Sequence, residues 1–526
     1  MKKRTLALLL ALLSLVTLLS PAAAAADSFE MQDIPIITIP GTSNCHLYND
    51  QNERVIPDDF DVKRDILSDK ALMRELLGSF AKATVTNRWD DYCDKMYDTL
   101  APIWAQQHFD ENGDPVTPLH AQNGWTPENL RKKTQGFSEG DYYYRYDWRL
   151  DPFLIADDLH AYIRAVLRVT GKPKVGLLGR CYGACVLAAY LQKYGDEGLV
   201  DTSVFYCPTV KGIETVDAIF SGAFALSGDD LTTYLRWYLD AERPIDDENL
   251  TAWLRDFAVV LNACGALDLT GKTLLRFIEK FKSNLLPRLL RVSYGSYPGY
   301  WAMVSEERLA DALRFTFGGV ESQYAGLIDK INTYHRTVQT PLFDLLDGLQ
   351  SDGMRLIVIA KYGQPAYPYF KGCNYQTDGS NSIFRMSFGG TAAPITETLS
   401  DAYVQAATQA GTAKYISADR KIDASTCRYP DQTWFFKDVA HTKHPPFLMG
   451  LVTYAVQRTD QLTVWNDPGT VQFMRPDESG AFVPVPADDP SDEKWEQPSA
   501  LRAFLLSLRS LFRLIGAKLS DLFRNH

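Results

Sequence analysis

Positive charge is scarce in this chain. Lysine and arginine make up 54 of its 526 residues against 65 aspartates and glutamates, which leaves a formal net charge of −11. Proteins that bind DNA or RNA present basic surfaces to the phosphate backbone, so this acidic balance argues against nucleic acid as the main partner. The hydrophobic share of 46% is ordinary for a globular protein and is enough for a sizeable core.

Cysteine and histidine are also few, with eight of each. The cysteines stand at positions 45, 93, 181, 185, 207, 264, 373 and 427. Their spacings do not resemble those of a zinc site, and we predict neither a metal nor a cofactor. In an oxidising compartment some of these cysteines should pair, but the sequence does not give the connectivity.

An apolar stretch stands at the N-terminus. Lys2, Lys3 and Arg4 precede a hydrophobic segment over 6–19, and small residues follow at 22–26. This order predicts a secretory signal peptide over 1–26 and a secreted mature protein. An N-terminal membrane anchor is the alternative, and the shortness of the apolar run disfavours it.

Buried strands and amphipathic helices alternate in two parts of the chain. Apolar runs at 34–39, 175–178, 354–360 and 433–437 predict strands, and a helical repeat covers 152–170. The pattern predicts an α/β fold with a mostly parallel central sheet and helices on both faces. We assign this core to residues 27–208 and 350–466.

The remaining segments differ in composition. Residues 209–349 are mostly helical and predict a cap inserted into the core, and the polar, proline-bearing stretch 467–498 predicts a linker. Residues 499–526 predict a basic amphipathic helix, the pattern of a helix that lies on a membrane surface. Packing on the protein body or on a second copy is the alternative, because periodicity does not separate the two.

The chemistry centres on Gly179-Arg180-Cys181-Tyr182-Gly183, which stands between a predicted strand and a predicted helix. A nucleophile elbow has this order, because its sharp turn tolerates only small residues two positions either side of the nucleophile. The helix N-terminus that follows also favours a thiolate over a thiol. A glycine-flanked structural cysteine is the alternative.

Three segments together resemble the lecithin:cholesterol acyltransferase-like branch of the α/β-hydrolases. Residues 37–41 resemble the family's opening strand and Pro-Gly turn, 146–150 match its YDWRL signature, and 175–183 resemble its strand and elbow. The similarity spans roughly 34–441. It implies an α/β-hydrolase fold with an inserted cap, an acyl-ester substrate of lipid type, and a nucleophile, acid and histidine in that chain order.

The elbow departs from the family at two positions. The family usually has G-H-S-x-G, whereas Arg180 stands here for the histidine and Cys181 for the serine. Dienelactone hydrolases use a Cys-His-Asp set on the same fold, so the exchange is compatible with catalysis. Two rival functions stay open: a catalytically inactive lipid- or partner-binding homologue, and a thioesterase or lactone hydrolase.

The resemblance also indicates the other members of the triad. Of the histidines after the elbow, His441 follows the strand at 433–437, where this fold places its base, and His444 is the fallback. Asp419 begins a D-x-x-I pattern like that of the family's acid, with Asp423 as runner-up. The connection from 362 to 419 is long for the segment between a strand and its acid.

The remaining assignments concern the oxyanion and the signature segment. The backbone N–H groups of Tyr182 and Thr42 are expected to form the oxyanion hole. In the YDWRL segment we expect Trp148 to pack and Asp147 to pair with Arg149, which would brace the elbow. The sequence thus predicts a secreted acyl hydrolase or acyltransferase that forms an acyl-cysteine intermediate on Cys181.

Overall fold

The computed structural model describes residues 30–55, 70–86, 88–122, 124–223, 225, 227–241, 248–368, 374–467, 469–495 and 498–524. The predicted signal peptide over 1–26 lies outside the described residues. Within the described ranges, no helix combines the length and the apolar character needed to cross a membrane.

The described strands form one large sheet and two small ones. They are β1 Ile36–Ile39, β2 Leu47–Tyr48, β3 His120–Ala121, β4 Tyr142–Tyr143, β5 Val175–Arg180, β6 Val200–Tyr206, β7 Arg355–Tyr362, β8 Thr391–Ala392, β9 Ile422–Asp423, β10 Thr433–Lys437, β11 Phe473–Pro476 and β12 Phe482–Pro484. The large sheet has eight strands in the order β4-β1-β5-β6-β7-β10-β11-β12. All neighbours in it are parallel except β11 and β12.

Helices surround this sheet. They are α1 Lys70–Thr86, α2 Trp89–Leu100, α3 Pro152–Thr170, α4 Gly183–Tyr194, α5 Glu214–Ser221, α6 Gly228–Ala241, α7 Glu248–Ala263, α8 Ala266–Val292, α9 Pro298–Trp301, α10 Glu306–Phe317, α11 Ala325–Tyr334, α12 Leu342–Ser351, α13 Ile383–Met386, α14 Asp401–Ala410, α15 Pro446–Gln457 and α16 Ala500–Arg524. The prediction of an α/β fold with a mostly parallel central sheet is confirmed.

Two apolar cores lie on the two faces of the sheet. Successive strand residues point to opposite faces, so Leu177 joins the core with α3 and α4 while Leu178 joins the core with α15. Both faces are therefore buried, which explains why β5 and β7 are buried along their whole length.

Helix α3 shows how local signals set an element's ends. The Asp151 side chain accepts a hydrogen bond from the Phe153 N–H, and Pro152 occupies the first turn, where a missing N–H costs nothing. Gly171 ends the helix in the left-handed conformation, with φ of 68°. The helix spans 152–170, as the sequence predicts.

The segment 209–349 is mostly helical, as predicted, and carries α5 to α12. The predicted division into core, cap and tail at these boundaries stays a prediction.

The prediction of a linker over 467–498 does not hold. Strands β11 and β12 from this segment extend the central sheet beyond β10. Phe473 and Met474 are buried there, and Asp489 and Asp492 form ion pairs with the buried Lys437 at the end of β10. The strands are short and stand among prolines and acidic residues, so the apolar pattern that reveals a strand is too weak to see in the sequence.

The predicted amphipathic tail is helical over Ala500–Arg524 and packs along α7. Of the side chains that the structure describes in this helix, the buried ones are small: Ala503, Ser507 and Ser510. Leu501, Phe504 and Leu505 are exposed by 71%, 46% and 58%, so part of its apolar surface faces outward. The helix thus has both a packed side and an open apolar side.

Candidate active site

Cys181 stands in a sharp turn between β5 and α4. Its φ is +52°, a left-handed conformation that costs a non-glycine residue of order 1–3 kcal/mol. The Cys181 N–H donates to the Tyr206 carbonyl over 3.0 Å, and the Cys181 carbonyl accepts from Ala184 over 3.0 Å. The turn therefore fixes the backbone of Cys181 from both sides, as a nucleophile elbow does.

The glycines around the turn are required by contact. A Cβ on Gly183 would lie 2.0 Å from the Ile39 carbonyl oxygen, and one on Gly179 would lie 2.9 Å from the Ala184 Cα. The prediction that only small residues fit at these two flanking positions is confirmed. A Cβ on Gly41 would lie 2.9 Å from the Cys181 Cβ, so the Pro-Gly turn after β1 rests directly on the elbow.

His441 lies beside Cys181 on the loop after β10. Its Nδ1 is 2.6 Å from the Asp378 carboxylate, and its backbone N–H donates to the Asp378 carbonyl over 2.8 Å. This leaves Nε2 for Cys181, which is within hydrogen-bonding reach. Burial lowers the pKa of His441, but the Asp378 carboxylate and the Cys181 sulfur outweigh it and raise that pKa to about 10.

Asp378 is fully buried and held in place. Its Oδ1 accepts the N–H groups of Ser380 and Asn381, each over 3.0 Å. Burial raises the pKa of the Asp378 carboxyl, yet His441 and the Asn381 N–H more than offset this and leave it lowered. Asp378 is therefore a carboxylate and fixes the orientation of the imidazole.

The structure does not place Asp419 at His441, and this prediction is corrected to Asp378. The Asp419 carboxylate accepts from Lys437 over 2.9 Å and from the Ser417 hydroxyl over 2.6 Å, in a buried ion cluster. The runner-up, Asp423, accepts from the Ser425 N–H and the Tyr403 hydroxyl instead. Asp378 lies inside the long 362–419 connection, and the length of that connection was the one signal in the sequence against Asp419. The three residues that the structure groups follow the expected chain order of cysteine, aspartate and histidine.

The fallback histidine, His444, has a different environment. Its ring contacts Tyr206 edge-on at 5.3 Å, and its buried Nδ1 has no hydrogen-bond partner among the described residues. Burial, followed by the positive charges of Arg180 and Lys361, lowers the pKa of His444 to about 3. A histidine without a carboxylate partner and with so low a pKa is poorly suited to act as the base.

Backbone N–H groups are available next to the sulfur. The N–H groups of Tyr182 and Thr42 donate to no acceptor within the described part of the chain. Tyr182 directly follows Cys181, and Thr42 begins a short helical turn immediately after Gly41, which touches the elbow. Both predicted oxyanion donors therefore belong to segments that meet at Cys181.

The YDWRL segment braces this arrangement. Arg149 binds Asp147 through its Nε and Nη2, at 2.9 and 2.5 Å, and both side chains are buried. The buried Tyr146 hydroxyl donates to the Pro40 carbonyl over 2.6 Å and so holds the Pro-Gly turn. Trp148 is buried and packs against tyrosine rings. The expected internal packing and pairing are confirmed.

A second thiol, which the sequence analysis did not single out, lies at the site. Cys207 comes directly after β6, with φ of +46°, and follows Tyr206, the residue that pairs with Arg180 in register. Cys207 is buried and hydrogen-bonded to Asp378. Single atoms of Cys207, Asp378 and His441 lie within 4.8 Å of one another, a spacing that a metal ion also accepts. The prediction of no metal remains untested.

The remaining cysteines lie outside this group of residues. Cys185 is buried in the core one turn along α4, and burial raises its pKa to about 12, so its thiol is unreactive. The structure describes seven of the eight cysteines, Cys373 being outside the described residues, and no two of these seven are joined by a disulfide.

The cavity beside Cys181 is small. It has a volume of about 20 Å³, close to the space that one or two water molecules occupy. Its lining residues are Gly41, Ser43, Asn44, Arg180, Cys181, Tyr206, Cys207, His441, Thr442 and His444. A larger cavity of about 650 Å³ lies beyond the segment that carries Asp378 and is lined by Glu214, Asp217 and Arg385, among others, but not by Cys181.

Comparison with protein-family models and with curated protein sequences gives no match. The resemblance to the acyltransferase-like hydrolases therefore rests on the three sequence segments alone. What the geometry provides is a half-buried thiol, a histidine beside it, a carboxylate behind the histidine, and free N–H groups next to the sulfur. Such a group of residues is suited to nucleophilic attack on a carbonyl.

Proposed function

We propose that this chain is a cysteine-dependent acyl hydrolase or acyltransferase acting on ester substrates. In this proposal the fold is an α/β-hydrolase fold and 209–349 form its cap. The observation that carries the proposal is the grouping of Cys181, His441 and Asp378. These residues follow the carboxyl ends of the parallel strands β5, β10 and β7, which is where open α/β sheets place their reactive groups.

In the first step the Cys181 sulfur attacks the carbonyl carbon of the ester. The proton that the sulfur gives up is held at Nε2 of His441, because Nδ1 is engaged by Asp378 and the raised pKa of His441 keeps the ring protonated. The negative charge that develops on the carbonyl oxygen is stabilised by the N–H groups of Tyr182 and Thr42. The C–O bond then breaks, the leaving alkoxide takes the proton from His441, and a thioester to Cys181 remains.

In the second step His441 takes a proton from water or from an acceptor alcohol. The resulting nucleophile attacks the thioester carbonyl, and the C–S bond breaks. The proton stays on His441 beside the released sulfur, and the product is a carboxylic acid or a new ester. Hydrolysis and transfer thus differ only in the nucleophile of this step.

The resemblance further implies a lipid ester, and the exposed Leu501, Phe504 and Leu505 support contact with a lipid surface through α16. Secretion after removal of 1–26 is part of the proposal. Vesicle co-sedimentation of the chain with and without 499–526 tests the contact, and equal partitioning would overturn it. N-terminal sequencing of protein exported by the producing cells tests cleavage near Ala26.

The chemistry is tested with nitrophenyl esters of increasing acyl length and with intact-protein mass spectrometry. We expect turnover together with a mass increase of one acyl group, located on Cys181 by peptide mapping. Cys181→Ala should abolish both, and His441→Ala should lower both strongly. Cys264→Ala is the matched control because Cys264 is exposed and does not line the cavity beside Cys181, so it should leave turnover unchanged.

The same experiment separates the rival functions. Faster turnover of matched thioesters or lactones than of oxyesters would favour a thioesterase or lactone hydrolase with the same residues. Absence of turnover and of acylation across all three substrate types would instead indicate a binding protein and would contradict the proposal.

A further inference from the structure

Arg180, the residue that replaces the family's histidine, has unusual surroundings for a buried cation. Its side chain is only 8% exposed and lines the cavity beside Cys181. Its Nη2 donates to the Met449 sulfur over 2.7 Å, and its Nε has no hydrogen-bond partner among the described residues. A thioether is a weak acceptor, so the guanidinium is poorly compensated.

No counter-ion compensates Arg180 in the part of the chain that the structure describes. The hydroxyl of Tyr143 is hydrogen-bonded to the guanidinium, but burial raises the pKa of Tyr143, so this partner is neutral and supplies no counter-charge. The cavity lining contains no carboxylate, and the nearby Asp378 is already paired with His441. Burying a cation without an anion is costly, so the site is arranged for a negative partner.

The neighbouring Lys361 carries a charge of the same sign as Arg180. Lys361 is fully buried, and its ammonium donates to three backbone carbonyls of the histidine loop. The Tyr206 ring lies between the two cations, 5.9 Å from the Arg180 guanidinium and 4.7 Å from the Lys361 ammonium. Because Lys361 has its acceptors, Arg180 is the cation left to bind a ligand.

We propose that Arg180 binds a carboxylate group of the substrate close to the scissile carbonyl. The cavity volume of about 20 Å³ is of the size of a carboxylate group. This inference rests on the proposed function for the reaction. It narrows the substrate from esters in general to esters with a carboxylate a few bonds from the carbonyl that Cys181 attacks.

Alkylation of Cys181 by iodoacetate and by iodoacetamide tests this without any ester. The two reagents are similar in size, and only iodoacetate carries a carboxylate. In both, the sulfur displaces iodide from carbon. Peptide mass spectrometry gives a separate alkylation rate for each cysteine. The exposed Cys264 serves as the ordinary thiol, and its ratio of iodoacetate rate to iodoacetamide rate is the reference in the same sample.

We expect the ratio of iodoacetate to iodoacetamide rates to be at least about tenfold higher at Cys181 than at Cys264, the effect of one charge-assisted hydrogen bond. Arg180→Gln should remove this preference, and Arg180→Lys should keep part of it. A preference equal to that of Cys264, or one that Arg180→Gln leaves unchanged, would overturn the inference.

A second measurement covers the case in which Arg180→Gln does not fold. In the native chain, millimolar succinate should slow the reaction of iodoacetamide at Cys181 and leave Cys264 unaffected, whereas matched succinamide should have no effect. Equal effects of both compounds would contradict a carboxylate site. A carboxylate preference together with no turnover of any ester would support the inference while contradicting the proposed function.

Discussion

Replacing the carboxylate behind His441 is the most informative single perturbation of this site. The pKa of His441 is raised from the ordinary 6.5 of a histidine to about 10. At about 1.4 kcal/mol per pKa unit, this difference corresponds to roughly 5 kcal/mol of stabilisation of the protonated ring. Asp378 is the largest of the contributions that raise this pKa. If it supplies about half, Asp378→Asn should lower kcat/KM by about 100-fold.

The pH profile of kcat/KM gives the sign of the effect. A raised pKa means that His441 keeps its proton until the pH approaches 10, so the native alkaline limb should lie near that value. Without the carboxylate, the pKa of His441 should fall toward 6.5, and the limb should move to lower pH. The measurement is ester turnover over pH 5 to about 10.5, within the range where thermal melts show an intact fold.

Asp419→Asn is the matched control, because it makes the same chemical change at another buried carboxylate, the one that binds Lys437. We expect it to lower the free energy of unfolding by about 1–3 kcal/mol, since a charged hydrogen bond is lost, and to leave the alkaline limb in place. The reasoning is refuted if Asp419→Asn moves the limb while Asp378→Asn leaves rate and limb unchanged.

Three further predictions concern stability. Gly183→Ala should abolish soluble folded protein, because its Cβ would lie 2.0 Å from the Ile39 carbonyl oxygen; a native-like thermal melt would contradict this. Lys437→Met should lower the free energy of unfolding in urea by about 3–5 kcal/mol, since it leaves the buried Asp419 without its cation, whereas Asp489 keeps Arg475. An unchanged urea midpoint would count against that ion cluster. Tyr146→Phe should cost about 1–3 kcal/mol in the same assay, because it leaves the buried Pro40 carbonyl without its donor, and no change would show that the bond contributes little.

Sequence reasoning succeeded where the determining interactions are local. Helix α3 is bounded by its own cap, proline and glycine, so its ends follow from neighbouring residues. The elbow at Cys181 likewise needs only a strand, a helix and two small residues in order. The mostly parallel central sheet follows from such elements in alternation, except for β11 and β12, which the sequence analysis assigned to a linker.

It failed where the contacts are distant in the chain. Asp378 and His441 are 63 residues apart, and the loop that carries the acid has no periodicity. The local D-x-x-I pattern therefore pointed to Asp419, which is a partner of Lys437 instead. Cys207 was missed for a related reason, because its position beside Cys181 follows from strand register and not from any motif.

The tight contacts around Gly41 and Gly183 have a consequence for changes of the nucleophile. A Cβ at Gly41 would meet the Cys181 side chain and one at Gly183 would meet the Ile39 backbone, so both neighbouring turns lie directly against the nucleophile turn. A serine oxygen at 181 would extend less far from the Cα than the sulfur does. In the proposed reaction, Cys181→Ser would therefore place the attacking atom farther from the substrate carbonyl than the sulfur is.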